Sequence, residues 1–223
     1  MKLLKTSCRI INYKYHQGSG EKIVLILPPD MNNNGFDNVV VKVMCSAFKS
    51  LGFSIMCFNY DEKFTTDKLV SMEVKILKEL NICLDWLKSK NQKYNELWLC
   101  GYQLGATIVM NDVLRIPDVN GFIVISPDVI LKGFSILTPC PSGSLIYFND
   151  NTDTIKDNVV YLHKNLLRGR NSVVNFLTVD RTKPNYKQNL CNLVKSEVVN
   201  HNPVQLKVDR LLVKREIRIA NSM

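Results

Sequence analysis

Apolar residues along the chain fall into two alternating patterns. Short unbroken runs occupy residues 23–27 (IVLIL), 53–58 (FSIMCF), 96–100 (ELWLC), 121–125 (GFIVI), 144–148 (SLIYF) and 173–179 (VVNFLTV). Runs of this length, rich in β-branched and aromatic residues, predict buried strands. Between them lie longer stretches with apolar residues at helical spacing. Residues 38–51 place Val40, Val41, Met44, Ala47, Phe48 and Leu51 on one stripe before Gly52 stops the helix. Helices are also predicted over 66–88, from the turn at 101 to 114, over 155–167 and over 186–199. Residues 8–15 predict an edge strand ahead of the rest.

Solid apolar strands alternating with amphipathic helices require a mostly parallel central sheet covered by helices on both faces. The fold class is therefore α/β, a single-domain sandwich over residues 1–201. Residues 202–223 form a basic, apolar C-terminal extension whose pattern fits neither strand nor helix period. A strand-like arm, a helix lying on the body and a segment that orders on a partner all remain open for it.

Composition narrows the class. Of 223 residues 46% are hydrophobic and 22% charged, enough for a sizeable core and too apolar for wholesale disorder. No apolar run approaches the length of a spanning helix, so no transmembrane segment is expected. The first residues lack the apolar stretch and cleavage site of a secretory signal. Seven scattered cysteines without a C-x-x-C pair read as reduced thiols, and a cytoplasmic location is expected, with a mitochondrial or other organelle matrix as the alternative. No metal-ligand spacing, phosphate loop or dinucleotide fingerprint occurs, so no metal and no cofactor are expected.

Residues 101–105, Gly101-Tyr102-Gln103-Leu104-Gly105, join a strand to a helix, with glycines two residues either side of the apex. That is the frame of the nucleophile elbow, in which a strained turn presents its central side chain at the carboxyl edge of the sheet. Around it stand N-x-V-V-x-x-x-x-x-A-F at 38–48, L-G-F-S-I-x-x-F-N at 51–59 and C-L-D-W-L at 83–87. Further on come P-D-V-N-G-F-I-V-I-S-P at 117–127, F-S-I-L-T-P-C-P at 134–141 and D-T-I at 153–155. Together these resemble the small bacterial α/β-hydrolases of the dienelactone-hydrolase-like or short serine-hydrolase type. The resemblance runs from about Arg9 to about His201.

The resemblance implies a Ser or Cys at the elbow apex, a His after the last strand and a carboxylate after the strand before it. The apex here is Gln103, whose carboxamide offers no nucleophile. Pro184 falls where the His would lie, and proline can carry no proton. The acid position is Asp153, with Asp150 as fallback. The family's H-P-H-P segment near the oxyanion site corresponds to Leu27, Pro28, Pro29 and Asp30, its downstream glycines to Asn33 and Asn34, and its N-x-R-G turn to Asn59-Tyr60-Asp61-Glu62. The triad is thus degenerate at Gln103, Asp153 and Pro184. Triad members act as a unit, so losing two of them removes most of the rate enhancement.

Cys100 lies close to the elbow in sequence, but a strand residue there points into a sheet face. His16, His163 and His201 stand at the wrong distances for a triad base and read as surface histidines. Ser126 reads as a structural turn residue. These expectations point to a pseudo-hydrolase that acts as a binding or interaction module for a small ligand or protein partner, with Gln103, Tyr102, Leu104 and Asp30 as ligand-binding candidates. Alternatively the chain is an active ester or acyl hydrolase with a non-standard nucleophile. A third class comes from charge. The formal net charge is +9, and residues 164–223 carry 12 basic against 4 acidic residues. Such an excess suits an anionic partner, nucleic acid or acidic lipid, in a nucleoprotein or membrane-associated assembly. Arg168, Arg170, Arg210, Lys214 and Arg215 are its partner-binding candidates.

Overall fold

The computed structural model describes residues 2–5, 10–29, 33–60, 69–112, 116, 118–127, 142–148 and 174–201, of which 2, 69–75 and 111–112 are described by backbone alone. Eight strands form one sheet: β1 (Lys2–Lys5), β2 (Ile10–His16), β3 (Lys22–Leu27), β4 (Ser54–Phe58), β5 (Glu96–Tyr102), β6 (Gly121–Ile125), β7 (Gly143–Phe148) and β8 (Val174–Val179). Among the described residues four helices connect or close it: α1 (Val39–Ser50), α2 (Leu69–Lys90), α3 (Leu104–Asp112) and α4 (Tyr186–Val199). The strand order is β1-β2-β4-β3-β5-β6-β7-β8. Strands β3 to β8 pair in parallel, while β1 with β2 and β2 with β4 pair antiparallel.

The expected fold class holds. The edge strand does not: residues 10–16 form an inner strand, flanked by β4 and by β1 at the true edge. Lys2–Lys5 is two leucines between two lysines, four residues in all, too short a segment for periodicity to register. The predicted helix over 155–167 and the extension 202–223 lie outside the described residues.

The inner parallel strands split their side chains between two cores, because successive residues face opposite ways. In β5, Leu97 and Leu99 join the core beneath α2 and α3. Trp98, Cys100 and Tyr102 join the core beneath α1 and α4. Strands β3, β4, β6 and β7 divide in the same way, which explains why they read as solid apolar runs. Helix α1 starts where Asn38 accepts the Val40 N–H at 2.8 Å, a side-chain cap. It ends at Gly52, whose φ of +80° suits only glycine without strain.

The elbow edge as a candidate functional site

Strand β5 runs two residues further than its apolar run suggested, through Gly101 and Tyr102 to the apex at Gln103. Gln103 has φ +48°, a left-handed conformation on a residue with a Cβ. Its N–H donates to the Ile125 carbonyl (2.9 Å), extending the pairing with β6, and its carbonyl accepts the Thr107 N–H (3.0 Å), opening α3. One residue therefore ends a strand and begins a helix. The glycines either side permit this. A Cβ on Gly101 would lie 2.4 Å from the Gly105 backbone, and one on Gly105 would lie 2.1 Å from the Leu27 carbonyl oxygen. The elbow expected from sequence is built in full.

Gln103 is half-buried, and its neighbours are buried on opposite faces of the sheet. Leu104 belongs to the core under α2 and α3, and Tyr102 to the core under α1 and α4. Of the ligand-binding candidates at the elbow, Gln103 alone is accessible. Cys100 is fully buried, and burial pushes its thiol well above the ordinary range. It faces a core instead of the edge, so it is no nucleophile in this arrangement.

The position expected for a triad base is organised by other groups. Asp180 follows β8 and accepts the Thr182 N–H (3.0 Å) and hydroxyl (2.6 Å), which hold its carboxyl below the usual range. Pro184 stands exposed just before α4. The Arg181 guanidinium lies 4.7 Å from the Phe148 ring centre. Phe148 also meets Tyr102 (6.1 Å) and Tyr186 (6.4 Å) edge-on. An aromatic cluster with a cation on it thus joins the ends of β5 and β7 to the start of α4.

On the opposite flank, the β3–α1 loop carries the positions aligned with the family's oxyanion turn. Asn34 has φ +66°, the conformation glycine supplies elsewhere and one asparagine tolerates better than most residues. Asn34 therefore holds a left-handed turn there without a glycine. Asn59 ties that loop to β4 by accepting the Phe36 N–H at 2.9 Å. Ser126, at φ +43° after β6, donates its N–H to the Ile146 carbonyl and its hydroxyl accepts the Phe148 N–H. It is buried and structural, as the sequence suggested.

The histidines depart from expectation in one case. His16 is exposed. His201 is half-buried and not freely exposed: its Nε2 lies 2.8 Å from the Asn120 carbonyl oxygen and its ring packs 4.7 Å from Trp98. Asn120 immediately precedes β6, so His201 sits at the amino edge of the sheet, opposite the elbow. Its distance from the elbow is legible in the sequence, but not its packing on Trp98. His163, Asp30, Asp150, Asp153, Arg168, Arg170, Arg210, Lys214 and Arg215 lie outside the described residues. Among the described residues no group of three His, Cys, Asp or Glu side chains could hold a metal ion. No helix among them is long and apolar enough to cross a membrane.

No protein-family model matches the chain. It is 32% identical to the uncharacterized protein RP471 of Rickettsia prowazekii over 146 residues, a match covering 60% of each chain. The chain thus spans about 60% of the length of that curated relative. Among solved structures, a protein of unknown function from Agrobacterium tumefaciens, ATU1826, described as a candidate α/β hydrolase, superposes with a TM-score of 0.73. Its sequence is 22% identical, and the superposition covers 96% of both chains. The dienelactone hydrolase of Anabaena variabilis superposes with a TM-score of 0.65 at 10% identity, over 90% of this chain and 96% of that one. The strand order, the elbow and these superpositions agree: the chain has the α/β-hydrolase fold.

Proposed function

We propose that this chain is a hydrolase-fold protein without hydrolase activity, whose elbow edge serves as a binding or interaction surface. One observation carries the proposal. The elbow is kept in strained form at φ +48°, yet it presents the carboxamide of Gln103. A carboxamide donates and accepts hydrogen bonds but cannot attack a carbonyl. The exposed Pro184 and the buried Cys100 supply neither a base nor an alternative nucleophile. The packing of Tyr102, Phe148 and Tyr186 with Arg181 supports the strand ends behind the apex.

The test is turnover of a short p-nitrophenyl ester, together with labelling by a fluorophosphonate. The wild-type chain is expected to match a heat-treated control in both. Gln103→Ser is expected to stay inactive as well, because a serine without a base remains a weak nucleophile. Turnover clearly above the control, and lost on Cys100→Ala, would show an active hydrolase instead.

A further inference from the structure

A groove with a volume of about 360 Å³ lies away from the elbow, between β2 and α1. Strand period brings Lys14 and His16 to one face of β2, opposite Cys57 and Ile55 of β4. Helical period brings Lys42, Cys45, Ser46 and Lys49 to the facing flank of α1, at spacings of three, four and seven. None of the described lining residues is acidic. The floor is apolar, with Phe36, Ile55 and Cys57, and the rim carries the three ammonium groups.

One carboxylate lies beside this rim. Asp37 is held by the Lys14 ammonium at 2.8 Å and the Lys42 ammonium at 3.3 Å, which keeps its carboxyl below the usual range. The Lys14 ammonium also lies 4.1 Å from the centre of the Phe36 ring. These contacts set the Lys14 ammonium over the Phe36 ring and the Lys42 ammonium on the same carboxylate beside it. They also show that the cations accept an oxyanion. Among the described residues, three lysines against one aspartate leave a net charge of +2.

We infer that this groove binds a phosphate monoester carried on a compact apolar or aromatic body. A phosphate monoester brings close to two negative charges, matching the residual +2, where a carboxylate brings one. Lysines act as separate point charges and suit phosphate, whereas planar bidentate capture of a carboxylate favours arginine, which the described rim residues do not include. The apolar body covers Phe36 and Ile55 while the phosphate reaches Lys42 and Lys49. The ester is either a free metabolite or a lipid headgroup.

The test titrates the full-length chain at low salt with phenyl phosphate, inorganic phosphate and benzoate, and in a second arm with vesicles containing phosphatidic acid. Phenyl phosphate is expected to bind saturably, about tenfold or more tighter than inorganic phosphate, which lacks the apolar body, or benzoate, which lacks the second charge. Raised salt weakens it. Lys42→Gln with Lys49→Gln reduces the affinity about tenfold or more. Lys78→Gln, exposed on α2, leaves it unchanged. Bound phenyl phosphate slows alkylation of Cys45, which lines the groove, and not of Cys191 on α4. Lysine-dependent binding that is stronger to the vesicles than to phenyl phosphate identifies the lipid source, and the reverse identifies the free ester. Four results would overturn the inference. They are no saturable binding in either arm, affinity unchanged in the double variant, equal protection of Cys191, and tighter binding of an acidic peptide without phosphate.

Discussion

Gly105 lies directly beneath the end of β3: a Cβ built on it would stand 2.1 Å from the Leu27 carbonyl oxygen and 2.5 Å from that of Pro28. The first turn of α3 and the carboxyl end of β3 therefore touch through backbone alone. The contact places the apex beside the oxyanion-side loop. Backbone cannot swing aside as a long side chain can, so Gly105→Ala must push α3 away from the sheet. The expected cost is about 1–3 kcal/mol, the range of overpacked cores. Urea unfolding measures it. An unchanged midpoint would mean that the elbow is not seated on β3 as described.

Gln103 is strained by its backbone and not by its side chain. A left-handed conformation costs a residue with a Cβ about 1–2 kcal/mol. Glycine removes that cost but is more flexible when unfolded, which returns about 0.5–1 kcal/mol. Gln103→Gly is therefore expected to stabilise the fold by up to about 1 kcal/mol. Gln103→Val, β-branched at positive φ, should destabilise it. Opposite shifts in the urea midpoint check both.

Much of this was legible in the sequence, for reasons that differ by element. Helix α4 was found at its observed bounds because Leu190, Val194 and Val198 recur every four residues and face the core. Strands β3 to β7 were found because both their faces are buried, leaving unbroken apolar runs. The elbow was found because its glycines are demanded by backbone contacts, which leave no other residue possible. Strand β1 escaped because its four residues carry two lysines and pair only at an edge. The lysine groove escaped because each of its lysines, taken alone, looks like an ordinary solvated side chain. Only the tertiary packing of α1 beside β2 brings Lys14 near Lys42. His201 escaped for the same reason, since its partner Trp98 lies a hundred residues away.

Glu197 joins the last helix to the sheet. One of its carboxylate oxygens accepts hydrogen bonds from the Ser144 hydroxyl on β7 and from the Asn175 amide on β8, the latter at 2.7 Å. Ser144 is buried. Removing the acceptor strands its hydroxyl, which costs about 1–3 kcal/mol. Glu197→Ala should lose that much in urea unfolding. Glu197→Gln keeps an oxygen in place and should lose clearly less. Equal losses would assign the effect to charge instead of to the hydrogen bonds.

His201 gives a pH dependence whose sign follows from its burial. Removal from water lowers its pKa below the ordinary 6.5, although its hydrogen bond to the Asn120 carbonyl and the carboxylates of Glu96 and Glu197 act the other way. In the unfolded chain the ring takes up a proton near its ordinary value, and in the folded chain only at lower pH. Between those values the unfolded state binds more protons, so stability falls as the pH drops through the window below 6.5. The neutral ring against Trp98 is the form that the fold prefers. His201→Gln removes the titrating group while leaving a polar side chain at the position. The decline in urea midpoint from about pH 7 to about pH 5.5 should then be shallower in the variant than in the wild type. Parallel declines would mean that the ring titrates alike in both states, and that its place against Trp98 contributes nothing to acid sensitivity.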